Sequence, residues 1–205
     1  MAAEIVLVEN RGRDILPFLR VANRLLDEGV EVVLKLHTKR SLHRSDGDLW
    51  RRELVDRIGS PERSTAIANA FRRDPGLGLV GPEGHMHPMA SYWGDNAEAL
   101  TYLCSRVGMP EPREDHDEFI AGSMFWVRLE ALRPLLDTPL HTSDFEPELG
   151  QFDGTLAHAS ERVFALVVRH AGYRVVDAAS ACLATATEFP RIPPRGMTPP
   201  TAATR

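Results

Sequence analysis

The first 36 residues contain the pattern that most restricts the fold, because two short apolar runs flank a stretch with helical periodicity. Residues 5–8 are rich in β-branched side chains, which favour strands. Residues 15–26 place apolar side chains three and four positions apart, as one face of a helix requires. Residues 30–36 are almost continuously apolar, which is typical of a strand buried on both faces. The order strand, helix, strand predicts a βαβ unit and therefore an α/β domain.

The rest of the chain continues this alternation. It predicts helices at about 49–58, 62–71, 95–107 and 154–170, and strands at 78–80, 119–127 and 173–176. Residues 81–94 mix Pro, Gly, His and Met and predict a loop. Five prolines between residues 190 and 200 predict a disordered tail from residue 188, which leaves residues 1–187 as one domain.

Length and charge narrow the functional classes. A chain of 205 residues with 43% apolar content is long enough for one domain with a core and too short for two. A net charge of -5 provides no broad cationic surface for nucleic acid or an anionic membrane. Cys104 and Cys182 lack the spacing of a disulfide framework or a zinc site. Without a membrane-length apolar run or a signal pattern, we expect a cytoplasmic location, including the inner face of the cell membrane.

The first of three polar motifs is Asn10-Arg11-Gly12-Arg13-Asp14, between a predicted strand and a helix start. Ligands of α/β sheets collect at such positions. Gly12 allows a close turn, the helix N-terminus presents N–H groups, and Arg11 or Arg13 can hold a phosphate bidentately. The motif therefore predicts a diphosphate site. Alternatively, Asp14 only caps the helix and the arginines are solvated.

The second motif is LHTKRS at residues 36–41, directly after the second apolar run. We expect its polar side chains to point into the crevice at the carboxyl edge of the sheet. Lys39 can neutralise a leaving diphosphate, and His37 can donate a hydrogen bond or ligate a metal. For Arg40 and His43 an ordinary polar loop is favoured.

The third motif is EPELGQFDGT at residues 146–155, followed by His158, Glu161 and Arg162 on a predicted helix. Asp153 can act as the general base that deprotonates a sugar hydroxyl. Asp153 also suits the N-cap, where the helix dipole would weaken it as a base, so Glu148 is a rival. The three helical residues share one side of the helix, either in the site or as a surface network.

Two further segments carry weaker signals. His85 and His87 have a spacing that can chelate a metal, as in a metal-dependent hydrolase, but no clear third ligand accompanies them. The acidic residues around His116 predict a solvated loop. Residues 121–126 join a turn of small residues to a bulky strand, which either lines the acceptor side of a pocket or belongs to the core.

In this order, the blocks NRGRDILPF, LKLHTKRS, AGSMFWVR and ELGQFDGTLAHASERVF resemble the rhamnan synthesis protein F family of bacterial polysaccharide glycosyltransferases. The resemblance spans residue 8 to about residue 176. The layout is also similar to the later part of a GT-A glycosyltransferase, a Rossmann-like mixed sheet flanked by helices. It implies an α/β, GT-A-like domain that lacks the N-terminal strands and forms the C-terminal part of a larger unit.

The resemblance implies transfer of a sugar, from a nucleoside-diphosphate donor such as dTDP-rhamnose, to a growing cell-surface polysaccharide or O-antigen. GT-A enzymes hold a divalent ion with an acidic DxD motif, and His37-Thr38-Lys39 takes the corresponding place here. We therefore expect inverting, metal-independent transfer with Lys39 as the cation and Asp153 as the acceptor-side base. The alternative is a non-catalytic carbohydrate-binding or scaffolding module of a polysaccharide-synthesis complex.

The predicted site contains catalytic and substrate-binding candidates. The catalytic candidates are Asp153, Glu148 and His37. The binding candidates are Asn10, Gly12, Arg13, Asp14, Lys39, Ser123, Gln151, His158, Glu161 and Arg162. We expect no cofactor and no nucleic acid. The expected partners are a nucleotide sugar, a glycan acceptor, and other polysaccharide-synthesis proteins or a separate N-terminal segment.

Overall fold

The computed structural model of the protein describes residues 3–38 and 47–183. The helices of these residues are α1 (Ile15–Asp27), α2 (Gly47–Gly59), α3 (Pro61–Arg73), α4 (Ala97–Val107), α5 (Arg133–Leu136), α6 (Leu156–His170) and α7 (Ala178–Leu183). The strands are β1 (Val32–Lys35), β2 (Leu77–Gly81), β3 (Met86–Pro88), β4 (Glu118–Ile120), β5 (Phe125–Arg128) and β6 (Arg174–Asp177). Short 3₁₀ turns lie at Met89–Tyr92, Gly94–Asn96, Leu129–Leu132 and Thr142–Asp144.

The main sheet has the strand order β1-β5-β2-β6. Strand β5 pairs antiparallel with both β1 and β2, whereas β2 and β6 run parallel. Strands β3 and β4 form a separate antiparallel pair. The domain is therefore mixed α/β, with a mixed sheet at its centre.

Helices cover both faces of this sheet and bury two apolar clusters. One cluster joins α1, α4 and α6 to Phe125 and Val127, and the other joins α2, α3 and α7 to Trp126 on the same strand. Successive side chains of a strand point to opposite faces, so β5 supplies both clusters. Strand β2 also supplies both clusters. A register shift separates Leu77 from Leu79, and these two residues lie in different clusters.

The helix starts follow the capping signals of the sequence. Ser60 caps α3 and accepts a hydrogen bond from the Arg63 N–H at 3.4 Å, with Pro61 in the first turn. Helix α1 ends before Gly29 at φ +82°, and α6 ends before Gly172 at φ +82°. The predicted helices α1, α2, α3, α4 and α6 and strands β2 and β6 are confirmed.

The predicted βαβ unit at the start of the chain is wrong. Residues 5–8 belong to no strand, and Ile5 and Leu7 are 85% and 92% exposed. The run at 30–36 does contain β1, but that strand is only half-buried rather than covered on both faces. Within the described residues β1 pairs with β5 alone, which leaves it at the edge of the sheet.

The predicted strand at 119–127 is also wrong, because the chain turns within it. Gly122 and Ser123 adopt left-handed backbone at φ +90° and φ +50°, which separates β4 from β5 and puts the two strands in different sheets. Residues 81–94 contain β3 in addition to the predicted loop, and the sequence pattern did not predict α5 or α7. The predicted tail at 188–205 lies outside the described residues. In the part of the chain that the structure describes, none of the helices combines the length and the apolar character needed to cross a bilayer.

Candidate functional site

A cavity of about 350 Å³ opens where the start of α1, the turn at residues 121–123 and the first turns of α6 meet. Predicted site residues from four separate segments line it: Arg13, Asp14, His37, Ser123, Asp153, His158, Glu161 and Arg162. Trp50 and Phe152 add aromatic surface to the lining. The wall combines charged, hydrogen-bonding and aromatic groups, as small-ligand sites do.

Five predicted residues do not belong to this lining. Asn10 is exposed, and Lys39 lies outside the described residues. Gly12 is buried within the α1 turn, defined as residues 10–14, which directly precedes α1. Glu148 and Gln151 lie behind the wall and contact the α1 turn. The structure thus assembles most of the predicted site.

The α1 turn and the loop that precedes α6 hold each other in place. The Arg13 N–H donates to Glu148 Oε1 at 3.0 Å, and the Arg13 guanidinium donates to the Gln151 carbonyl. Arg11 donates to the Phe145 carbonyl at 3.0 Å. Arg13 has a left-handed backbone at φ +54°, a conformation that costs a non-glycine residue free energy and occurs at functional sites. Glu148, predicted as a base, here accepts hydrogen bonds from the turn.

Lys35 is a site residue that the sequence patterns did not reveal. Its side chain is 3% exposed, and its Nζ donates to Asp14 Oδ2 at 2.5 Å. The same Nζ donates to the Ser123 carbonyl and hydroxyl oxygens at 2.6 and 2.9 Å. The rings of Phe18 and Phe125 lie 5.5 and 5.6 Å from it. A lysine inside an otherwise apolar strand was the signal available in the sequence.

This buried ion pair gives Asp14 a partner that neither interpretation of the sequence included. Burial would raise the pKa of Asp14, but the Lys35 charge and then His37 outweigh it and lower that pKa. Burial lowers the pKa of Lys35, and the Asp14 carboxylate opposes that effect. Asp14 makes no side-chain capping bond at the start of α1. The alternative that Asp14 only caps the helix is therefore wrong.

The turn at residues 121–123 forms the floor of the cavity. His37 Nε2–H donates to the Gly122 carbonyl at 2.7 Å, and the Gly122 N–H donates to Glu161 Oε1 at 2.7 Å. A Cβ on Gly122 would lie 2.8 Å from Leu54 Cδ1 and 3.0 Å from Trp50 Cη2. Glycine is therefore required here both by the left-handed backbone and by the close approach of these side chains.

Glu161 is the carboxylate most affected by this environment. Burial raises its pKa, while the Gly122 N–H and the Arg162 charge oppose the effect. A carboxylate whose pKa moves toward neutrality accepts a proton more readily at physiological pH. Glu161 is therefore a candidate general base as well as a binding residue.

We expect Glu161→Gln to gain stability relative to the wild type as pH rises above about 4.5, the ordinary pKa of glutamate. The folded state holds the glutamate proton more tightly than the unfolded state does, so ionisation above that pH costs the wild type stability. Glutamine does not titrate and can still accept the Gly122 bond. Melting temperatures of both proteins from pH 4 to pH 8 check this. Exposed Glu114→Gln serves as the control, and a pH-independent difference for Glu161→Gln would contradict the prediction.

Asp153 is fixed by two buried donors. Its Oδ1 accepts from Asn96 Nδ2 at 2.8 Å and from Arg162 Nη2 at 3.3 Å. Asn96 is 0% exposed, and Arg162 is also bonded to the His158 carbonyl at 2.7 Å. Gly94 lies so close to the carboxylate that it has no room for a Cβ. No motif of the sequence identified Asn96 as a site residue, whereas it orients the candidate base.

Helix α6 is capped by residues other than Asp153. Thr155 is the N-cap, and its side chain accepts from the His158 N–H at 3.4 Å. The Thr155 hydroxyl lies 2.8 Å from His158 Nδ1 and donates to it, which places the proton of a neutral His158 ring on Nε2. Glu146 Oε2 accepts from the Leu156 N–H at 3.0 Å. The alternative that Asp153 serves as the N-cap is therefore wrong, and its carboxylate lies on the cavity wall.

The histidine pair lies apart from this cavity. His85 is buried, with its ring centroid 6.0 Å from that of Trp50 and 6.3 Å from that of His87. Among residues 3–38 and 47–183, no group of three His, Cys, Asp or Glu side chains is arranged to hold a metal ion.

The fold and the cavity together define a mixed α/β domain with a polar ligand pocket that carries charges of both signs. The chain belongs to the rhamnan synthesis protein F family, whose sequence model matches residues 1–173. The resemblance stated from the four sequence blocks is thereby confirmed. The name of this family refers to the synthesis of rhamnan, a polysaccharide.

Two curated relatives are similar to this chain. They carry the name "Uncharacterized protein WxcX" and come from Xanthomonas campestris pv. campestris, strains B100 and ATCC 33913. Each is 58% identical to this chain over 173 residues, which is 84% of the chain and 25% of the relative. The chain thus spans about a quarter of the length of these relatives. No solved structure shows a significant match.

Proposed function

We propose that the cavity is the sugar-transfer site of a polysaccharide glycosyltransferase. The substrate would be a nucleoside-diphosphate sugar, with rhamnose as the sugar favoured by the family name, and the acceptor a growing cell-surface glycan. The observation that carries the proposal is the convergence of three carboxylates, two histidines and two arginines on one cavity wall. These are the groups that proton abstraction and diphosphate stabilisation require.

In this reaction, a carboxylate takes the proton from an acceptor hydroxyl. The hydroxyl oxygen then forms a bond to the anomeric carbon of the donor while the bond from that carbon to the diphosphate breaks. Asp153 is the first candidate for the base because Asn96 and Arg162 fix its position. Glu161 is the second because burial raises its pKa. The negative charge that develops on the diphosphate is stabilised by neighbouring cations and N–H donors.

The donors for the diphosphate come from two parts of the wall. Arg162 and His158 lie on the α6 side, and Arg13 lies on the α1 side. His37 follows β1, in the place where GT-A enzymes carry the DxD motif. Its Nε2 is bonded to the Gly122 carbonyl. The role of Lys39 as the cation that replaces a metal ion stays a hypothesis. We further propose that the mixed sheet is part of a GT-A-like unit and that transfer is metal-independent and inverting.

The test combines donor binding with transfer. A panel of nucleoside-diphosphate sugars is titrated by thermal shift, with EDTA and with Mg²⁺ or Mn²⁺, because a ligand that binds only the folded state raises the melting temperature. We expect one donor to raise it in the presence of EDTA. Asp153→Asn should keep that shift and lower transfer about 100-fold or more if Asp153 is the base. Glu161→Gln gives the same measurement for the second candidate.

The control variant is Asp137→Asn. The carboxylate of Asp137 is exposed at the end of α5. It should change neither donor binding nor transfer. Absence of a shift with every donor in a folded sample would overturn the proposal. A shift that requires a divalent ion would overturn metal independence alone.

A second candidate function is a non-catalytic carbohydrate-binding module. It is favoured by the contacts of Asp153, because Asn96 and Arg162 bond to the same carboxylate oxygen at 2.8 and 3.3 Å and give Asp153 a structural role. Binding of a glycan without turnover of any donor would select this alternative. Both candidates place the ligand in the same cavity.

A further inference from the structure

We propose that Phe152 and Leu149 form a stacking subsite for one sugar ring of the glycan at the mouth of the cavity. The inference rests on the proposed function and extends it from the reacting groups to recognition of the acceptor. Both residues belong to the rim loop, defined as residues 146–152. This loop precedes α6 in the chain and contacts the α1 turn.

The rim loop exposes two large apolar side chains close together in sequence. Phe152 is 75% exposed and contributes to the cavity lining, and Leu149 is 80% exposed. Single apolar residues on a surface are ordinary, but an exposed aromatic ring in a cavity lining, with a second exposed apolar side chain three positions away on the same loop, offers apolar surface to a ligand. Asp153 follows Phe152 directly, so this surface adjoins the candidate base.

The loop holds these side chains outward through its own polar contacts. Gln151 Nε2 donates to the Pro147 carbonyl at 2.8 Å, and its Oε1 accepts from the Leu149 N–H at 3.0 Å. Arg13 fixes the loop from the other side through Glu148 and the Gln151 carbonyl. Because these bonds pin the backbone on both sides, the exposure of Phe152 and Leu149 is built into the loop.

A sugar ring fits this arrangement better than a purely apolar ligand. One face of a pyranose carries C–H groups that pack on an aromatic ring, whereas its edge carries hydroxyls that need hydrogen-bond partners. The apolar rim supplies the first, and Asp153 with His158 in the adjoining lining supplies the second. If a lipid or an apolar protein surface bound the rim loop instead, the charged groups of the adjoining cavity lining would be left without hydrogen-bond partners.

The test measures oligosaccharide affinity on the full chain by calorimetry, with a rhamnose trisaccharide as the probe and maltotriose as the comparison. Phe152→Ala should weaken trisaccharide binding about tenfold, the loss of one aromatic contact. Phe152→Tyr keeps the ring and should restore affinity to within about threefold. Leu149→Ala should show a smaller loss. Leu183→Ala removes a side chain that is 83% exposed at the end of α7 and should have no effect.

Donor binding separates this inference from the proposed function. Leu149→Ala and Leu183→Ala, which lie outside the cavity lining, should retain the donor-induced rise in melting temperature. Equal trisaccharide affinity of wild type and Phe152→Ala, or no binding by the wild type, would overturn the subsite and leave the transfer proposal standing. Absence of a donor shift alongside Phe152-dependent trisaccharide binding would overturn transfer and support the subsite. Phe152-dependent flotation with phosphatidylglycerol vesicles, without trisaccharide binding, would assign the rim loop to a membrane surface instead and overturn the subsite.

Discussion

Lys35→Met is expected to lower the free energy of unfolding by about 3 kcal/mol, because it leaves the Asp14 carboxylate without its buried counter-charge. Methionine is close to lysine in volume, so the loss reports on charge and hydrogen bonds more than on packing. The Ser123 carbonyl and hydroxyl lose their donor at the same time. The estimate is at the low end for a broken buried pair because Asp14 keeps 19% of its side chain exposed. Urea denaturation of wild type and variant measures it.

The matched control is the double variant Lys35→Met with Asp14→Asn. Removal of both charges should cost clearly less than the sum of the two single changes, because neither charge is then left unpaired. Arg72→Met, on the exposed side of α3, should stay within about 0.5 kcal/mol of the wild type. Additive losses in the double variant would show that the Asp14 and Lys35 charges do not interact, contrary to the 2.5 Å contact.

Gly12→Ala is expected to cost about 3 kcal/mol, the second large effect. The backbone of Gly12 is left-handed at φ +65°, where an added Cβ costs about 1–2 kcal/mol. That Cβ would also lie 2.7 Å from Leu16 Cβ and 2.8 Å from Phe145 Cδ1, and such overpacking adds about 1–3 kcal/mol. Chemical denaturation monitored by circular dichroism gives the difference.

Gly108→Ala separates the two contributions. Gly108 is also left-handed, at φ +73°, but a Cβ there meets nothing within 4 Å. It should therefore cost only the backbone strain of about 1 kcal/mol. If the two alanine variants lose the same stability, the contacts of Gly12 with Leu16 and Phe145 contribute nothing and the close packing of the α1 turn is not as described.

Local patterns in the sequence were sufficient for most helices, because helical periodicity and capping are encoded over a few neighbouring residues. For example, α3 begins at Ser60 and Pro61, an N-cap residue followed by a first-turn proline. The strands were less predictable, because burial depends on partners that are distant in sequence. The run that became β1 was as apolar as a central strand, yet it pairs with β5 almost a hundred positions away and lies at the sheet edge.

The sequence predicted which residues belong to the candidate site better than it predicted the bonds that hold them together. Polar residues at element ends identified Asp14, Ser123, Asp153 and Glu161, and the cavity brings them together. The bonds between them were not predictable, since the pairing of Lys35 with Asp14 depends on how β1 packs against α1. Likewise, the turn at Gly122 that receives the His37 bond was hidden within an apolar run that resembled one strand.

The segment at residues 5–8 has a consequence for the behaviour of the protein in solution. A short β-branched run with exposed apolar side chains is a template for intermolecular strand pairing and hence for aggregation. Glu4 and Glu9 flank the run, and each forms a salt bridge, with Arg24 and Arg11 respectively, that ties one end of the run to the neighbouring chain. Low pH or high salt weakens these exposed salt bridges, and we expect the run to be more available for pairing with another copy under those conditions.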